Sequence, residues 1–308
     1  MARIPELWYS ESGDIMNMER YTDNDYQAVC GFLVELNRDG TKHLNWNWAR
    51  WEWMCFHPYC DRSLLPTTGL WKDGGKVVGA ALFDLYHGEA FCSALPEFSE
   101  LLPDIYNYAW DSLRDENGLG IAVANSDIRT RTTLLSLGYQ KAEQNEWLYY
   151  VELKEPLPYL LADGFTIREI HFPKDTLAYK KVIYKGFDHE DDQAEWDRMM
   201  AYDGPLHPNR DPQLTLAVVD QSGEFAAHCT CWFDLRTDYA YIEPVCTIPA
   251  HRGKGLGRAV VCEAVNRCRS MGAKRAIVLS NQEFYKKLGF TELEHYTFYW
   301  KNEIQERK

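Results

Sequence analysis

Past residue 214 the apolar and polar positions switch between two periods. Thr215–Asp220, Phe225–Phe233 and Tyr239–Thr247 are rich in Val, Ala, Tyr and Trp. Gln-Ser-Gly and Arg-Thr-Asp turns separate them, which predicts an antiparallel meander. The period then lengthens. Leu256, Val260, Ala264 and Cys268 recur at helical spacing with Val261 and Val265 beside them, predicting a helix from about Gly257 to Met271 that Gly272 ends. Arg275–Leu279 reads as a short buried strand, followed by a brief helix (Phe284–Leu288) and a final strand (Thr291–Trp300) that closes the domain. A strand, a crossover helix and a second strand form a right-handed unit, so Tyr239–Thr247 and Arg275–Leu279 are expected to run parallel.

The pattern is interrupted at Glu155-Pro-Leu-Pro158, after which Gly164–Ile170 is again strand-like. Each half carries related landmarks. Ser136-Leu-Gly-Tyr139 matches Lys287-Leu-Gly-Phe290, with glycines 151 residues apart, and Leu95-Pro96 matches Ile248-Pro249, with prolines 153 apart. Near-equal offsets in a chain of 308 residues predict a duplicated fold, residues 1–155 and 156–308.

Charge and composition narrow the function. A formal charge of −13 disfavours nucleic acid or an anionic membrane as the main partner, since both need positive charge at the contact. The longest run without Asp, Glu, Lys or Arg is Asn117–Ser126, too short to span a bilayer. The first residues lack a basic stretch followed by an apolar block, and the nine cysteines sit mostly in apolar runs. A cytoplasmic protein with reduced thiols, monomeric or homodimeric, is expected.

One loop carries chemistry. His251-Arg-Gly-Lys-Gly-Leu-Gly257 stands between a strand end and a helix start, where free N–H groups and the helix dipole favour an anion. Arg252, Lys254 and Arg258 add charge. The loop lacks the Gly-Lys-Ser/Thr ending of a P-loop, and no acid follows at the ribose position of a dinucleotide fingerprint. Val245-Cys-Thr-Ile-Pro-Ala-His-Arg-Gly-Lys-Gly-Leu-Gly257 resembles the acyl-coenzyme A signature of the GNAT superfamily of N-acetyltransferases, R/Q-x-x-G-x-G/A, with Arg252, Gly255 and Gly257 at its defining positions. Phe284-Tyr-Lys-Lys-Leu-Gly-Phe290 adds to the resemblance.

The resemblance implies an α/β (α+β) fold of two tandem GNAT-like domains, each a mixed, mostly antiparallel sheet flanked by helices. It also implies acetyl-CoA as co-substrate. The amides of Arg252, Gly253, Lys254, Gly255, Leu256, Gly257 and Arg258 would hold the pyrophosphate, and the backbone of Val245, Cys246 and Thr247 would pair with the pantetheine arm. Asn281 would be a further coenzyme contact, with capping of the short helix as its bland alternative. Glu243 would be the base for the amine and Tyr285 the acid for the thiolate, and a backbone N–H near Val245 or Cys246 would meet the oxyanion. Independently, Glu243-Pro244 marks a bulge, because a proline inside a strand removes a ladder donor. Cys246 is expected to be a packed residue rather than a nucleophile.

The first half has lost these groups. Aligning Pro96 with Pro249 sets Ser99, Leu102 and Asp104 against Arg252, Gly255 and Gly257, and Ala90 against Glu243. Aligning Gly138 with Gly289 sets Leu134 against Tyr285. This half is expected to keep the fold without the cofactor and to shape the acceptor site. Eight of the eleven tryptophans lie here, and Trp46, Trp48, Trp51 and Trp53 read as a core cluster before a wall for a cation. No metal is expected, since beside Cys55, His57 and Cys60 no fourth ligand is evident apart from Asp61. Asp188-His-Glu-Asp-Asp192 reads as a solvated loop and helix start before an acidic lip. The function expected is direct acetyl transfer to a primary amine of a small molecule, the alternative being an acyl-CoA-binding sensor without turnover.

Overall fold

The computed structural model describes residues 8–9, 15–38, 40–202 and 207–302. Its contacts divide the chain into two compact units, residues 1–147 with 294–308, and residues 148–293.

In the first unit β1 (Trp8–Tyr9) and β2 (Ile15–Arg20) lead into α1 (Tyr26–Leu36) and α2 (Trp48–Cys55). A meander follows, β3 (Gly69–Asp73), β4 (Lys76–Asp84) and β5 (Tyr86–Ala94). Then come α3 (Leu102–Leu113), β6 (Leu119–Ala124), α4 (Ile128–Ser136) and the first part of β7 (Gln140–Glu152). Pairing is antiparallel from β1 through β5 and parallel between β5 and β6. Trp46, Trp48 and Trp51 are buried, and Asn47 caps α2 by accepting the N–H groups of Ala49 and Arg50. Trp48 and Trp51, three residues apart on α2, thus face the core, with Trp46 buried in the 3-10 turn before the helix and Trp53 half-buried.

The second unit takes residues 148–152 of β7, then β8 (Thr166–Glu169), α5 (Thr176–Gly186), α6 (Gln193–Ala201), β9 (Thr215–Val219), β10 (Phe225–Phe233) and β11 (Tyr239–Thr247). It continues through α7 (Leu256–Met271), β12 (Arg275–Leu279) and α8 (Glu283–Lys286). The strands pair in the order β7, β12, β11, β10, β9, β8, antiparallel except for the parallel β12–β11 step. A mixed, mostly antiparallel sheet flanked by helices recurs in both units.

Side chains alternate across β11. Cys246 faces α5, where its thiol donates to Val182 O at 3.3 Å and a Cβ on Gly186 would collide with it, whereas Thr247 faces Gly257 of α7. Buried Leu256, Val260, Ala264 and Cys268 form the stripe of α7 turned to the sheet.

The last strand departs from the sequence reading. β13 (Thr291–Lys301) does not close the second unit: from Glu294 onward it belongs to the first, antiparallel to β6 from Tyr296↔Ala124 to Lys301↔Leu119. Residues 148–152 of β7 take the corresponding place beside β12. The unit boundary therefore falls inside β7, upstream of the prolines at 156 and 158 where the sequence suggested it. No helix among the described residues is long and apolar enough to cross a membrane.

Candidate active site

Strand β11 parts from its neighbour partway along. Its parallel pairing with β12 runs from Tyr239↔Arg275 to Tyr241↔Ile277. On the other side β10 opposes Ile242 with Cys231 and Val245 with Cys229, so one extra β11 residue is accommodated at Glu243-Pro244. Pro244 has no N–H to give the ladder, and the bulge lies where the sequence put it. Val245, Cys246 and Thr247 continue on β10 past the last β12 partner. Such an edge offers backbone groups to an extended ligand.

At the end of this edge is the glycine loop. Gly253 and Gly255 both have φ of +78°, a conformation glycine adopts without steric cost, and a Cβ at either would meet nothing within 4 Å. The loop therefore borders open space. A Cβ on Gly257 would lie 3.0 Å from Thr247 Oγ1, so this glycine lets α7 approach β11. Ala259 N–H donates to Gly255 O, leaving the amides of Leu256, Gly257 and Arg258 in the first helical turn, which has no carbonyl four residues back within the helix.

The basic side chains brace this loop. Arg252 Nε donates to Thr247 O at 3.0 Å, and its guanidinium pairs with Asp188 at 2.8 Å and donates to Gly186 O at 3.1 Å. Its amide donates to Pro249 O, so the run of amides free to meet an anion begins after Arg252 rather than at it. Lys254 Nζ lies 2.9 Å from His251 Nδ1, and Arg258 donates to Lys287 O and Pro158 O. Asp188 is thus an anchor for the loop, and Asp192 caps α6 by accepting Glu195 N–H at 2.9 Å. The helix-start reading of that acidic run is the one the contacts match.

Glu243 is half-buried on the bulge, and the Tyr241 hydroxyl donates to its Oε2 at 2.6 Å. Tyr285, on α8, is buried between Phe284 and Phe290. Burial pushes its hydroxyl well above the ordinary phenol range, with the Cys229 thiol, the Glu243 carboxylate and the Cys231 thiol acting in the same direction. Tyr285 and Glu243 therefore share one electrostatic neighbourhood. The Cys246 thiol is pushed up to about 12 by burial and donates to a carbonyl, the behaviour of a packed residue. Asn281 is exposed between β12 and α8, and Gln282, not Asn281, is the residue preceding the helix. In the first unit His57 Nδ1 accepts Tyr59 N–H and the Cys60 thiol contacts Met54 sulfur, while Cys55 is buried.

The site thus joins an open strand edge, a glycine cradle at a helix N-terminus, and a carboxylate and a phenol near the bulge. Residues 179–290, from α5 to the end of the helix-turn after β12, match the acetyltransferase (GNAT) family, and this part of the chain is a GNAT domain. A tandem GNAT protein from the clavulanic acid biosynthesis pathway aligns with TM-score 0.59 at 14% identity, covering 93% of this chain and 98% of that one. A GNAT-family acetyltransferase from Colwellia psychrerythraea gives 0.57 at 13% identity, covering 94% and 99%. A GCN5-related N-acetyltransferase from Sphaerobacter thermophilus gives 0.54 at 16%, covering 96% and 97%. At such identities the likeness is one of fold, here the tandem GNAT plan. No curated protein sequence matches the chain.

Sequence reasoning missed three participants: Tyr241, Trp232, and the Arg252–Asp188 pair. Tyr241 lies two residues before Glu243 on the same strand, so alternation alone points both side chains to one face. The pair from Arg252 to Asp188 spans 64 residues and has no local signal.

Proposed function

We propose that the chain is an acetyl-CoA-dependent N-acetyltransferase whose second unit transfers the acetyl group directly to a primary amine of a small molecule. The observation that carries this reading is Glu243 on a bulge where β11 parts from β12, beside an open glycine cradle. In this reading Gly253, Lys254, Gly255, Leu256, Gly257 and Arg258 hold the pyrophosphate and Val245–Thr247 pair with the pantetheine arm, with Asn281 at the coenzyme's margin. Nine free cysteines, eight of them buried, suit a cytoplasmic enzyme.

An alkylammonium of pKa about 10 must lose a proton before it can attack. Glu243 takes that proton, and the nitrogen then forms the new C–N bond while the C–S bond breaks. The second surplus N–H proton goes to solvent. Tyr285, fully protonated because of its burial, donates to the departing thiolate and regains its proton from solvent. The acidic surface, −13 overall, attracts a cationic acceptor.

Calorimetry with acetyl-CoA, followed by thiol release against a panel of small primary amines, tests the proposal. Binding with amine-dependent release supports it. Tight binding without release for any amine leaves a sensor, a role that needs the cradle but neither Glu243 nor Tyr285.

A further inference from the structure

Two side chains grip Glu243. The Trp232 indole N–H donates to its main-chain oxygen at 2.6 Å, and the Tyr241 hydroxyl donates to its carboxylate at 2.6 Å. Both stand where the strands fork: Tyr241 is the last β11 residue paired with β12, and Trp232 is its partner on β10. Tyr241 is 2% exposed, so packing fixes its ring and little freedom is left to its hydroxyl. A glutamate has three side-chain torsions, and an acceptor amine benefits from a base already aimed.

We propose that Tyr241 is a positioning residue: its hydroxyl, fixed at the fork of β11 and β12, aims the Glu243 carboxylate at the acceptor amine. The proposal rests on the reading of Glu243 as the base. A phenol donating to a carboxylate makes a charge-assisted hydrogen bond, which favours the ionised form that accepts a proton. Tyr241 therefore acts through Glu243 in two ways, on its direction and on the pH at which it works.

Other titratable groups surround this pair. Tyr285 comes from α8, and Cys229, Cys231 and His228 come from β10. His207 packs against the Trp232 ring at 5.3 Å, and Tyr179 of α5 stands edge-on to His228, with Arg210 beside both. Burial keeps His228 neutral, its pKa lowered to about 3, and pushes the Tyr285 hydroxyl up, while the hydrogen bond with Cys229, with burial adding to it, pushes the Cys231 thiol up. His207 touches the Trp232 ring that holds Glu243, so His207→Gln serves as the control.

The test is the pH profile of kcat/KM for the full chain, Tyr241→Phe, Glu243→Gln, the double variant and His207→Gln. Tyr241→Phe should lower kcat/KM about ten-fold at pH 7 and move the acid limb up by about one pH unit, with KM for acetyl-CoA unchanged. In the Glu243→Gln background it should add nothing further. An unmoved limb in Tyr241→Phe, or a limb removed by His207→Gln, overturns the assignment. Carbon-13 NMR of the glutamate carboxyl groups, with the Glu243 signal assigned by Glu243→Gln, reads the same bond without turnover. Its midpoint should rise in Tyr241→Phe, and an equal midpoint overturns the proposal. If no amine is acetylated, the proposed function falls, while the NMR comparison still decides whether Tyr241 governs this carboxylate.

Discussion

The two units hold one strand in two ways. Leu95 N–H donates to Val78 O as Ile248 N–H donates to Ala226 O, which sets β5 against β11. From there β5 pairs with β4 residue for residue, Ala94↔Gly79 to Ala90↔Phe83, without the bulge of β11. Counting back along both strands, Phe91 alone occupies the place of Glu243-Pro244. The offset of 153 set Ala90 there, and the extra residue of β11 moves the match by one. Trp46 stacks on Phe91 with centroids 4.0 Å apart, and Arg50 lies over both rings. Where the second unit has glycines opening onto space, the first has a 3-10 helix, Pro96–Leu101, ending in buried Leu101. Leu134 stands for Tyr285: Tyr139 N–H donates to Leu134 O as Phe290 N–H donates to Tyr285 O, each beside a glycine of positive φ. The frame survives on hydrogen-bond geometry and apolar pattern, whereas the chemistry depends on a few positions that side chains can refill.

The largest asymmetry should appear on Gly255→Asp. A carboxylate a few ångströms from the pyrophosphate costs about 3 kcal/mol at an effective dielectric near 20, so acetyl-CoA affinity by calorimetry should fall about 100-fold or more. Leu102→Gln, at the matching place in the first unit, should leave that affinity unchanged; equal losses would break the comparison. Next, Glu243→Gln should slow turnover about 100-fold at pH 7, with a smaller gap at higher pH where the amine is already neutral. Glu89→Gln, on the corresponding strand of the first unit, should leave the rate within about two-fold of the parent.

Acid should expose what the units share. His228 is buried and neutral with its pKa lowered to about 3, because burial disfavours the imidazolium. An unfolded histidine binds its proton below about pH 6.5, so stability is lost as pH falls from there toward 3. Between pH 7 and 5 this is worth about 2 kcal/mol, measurable by urea unfolding. His43 and His57 in the first unit are lowered to about 4, so it should loosen in the same direction. His228→Gln should flatten the pH slope of the second unit alone. The smallest effect is expected from Tyr285→Phe, about ten-fold in kcat with acetyl-CoA affinity retained.

Much of the second unit was legible because its strands are long apolar runs bounded by turns. β10, β11 and β12 begin and end where the pattern does, and α7 begins one residue early. Helix α5 escaped notice, and of α6 only the start at Asp192 was legible. Leu177 on α5 is exposed, and the contact that seats this helix, Gly186 against Cys246, joins residues far apart in sequence. The final strand was visible, but alternation says only which face a residue takes, not which sheet will receive it. Within the site, glycines and a proline announce themselves through backbone requirements. Arg252 was read as charge for a phosphate, and only its partners reveal a brace.

The placement of β13 has a consequence in time. Its residues are translated only after residues 148–293, although they complete the sheet begun by β1 to β6. At roughly 5–20 residues per second, β6 waits on the order of ten to thirty seconds for its neighbour. During that wait it presents an edge that can recruit a foreign strand. The part made first is finished last, and a gene cut at the prolines would yield two fragments, the first lacking a strand and the second carrying one that belongs elsewhere.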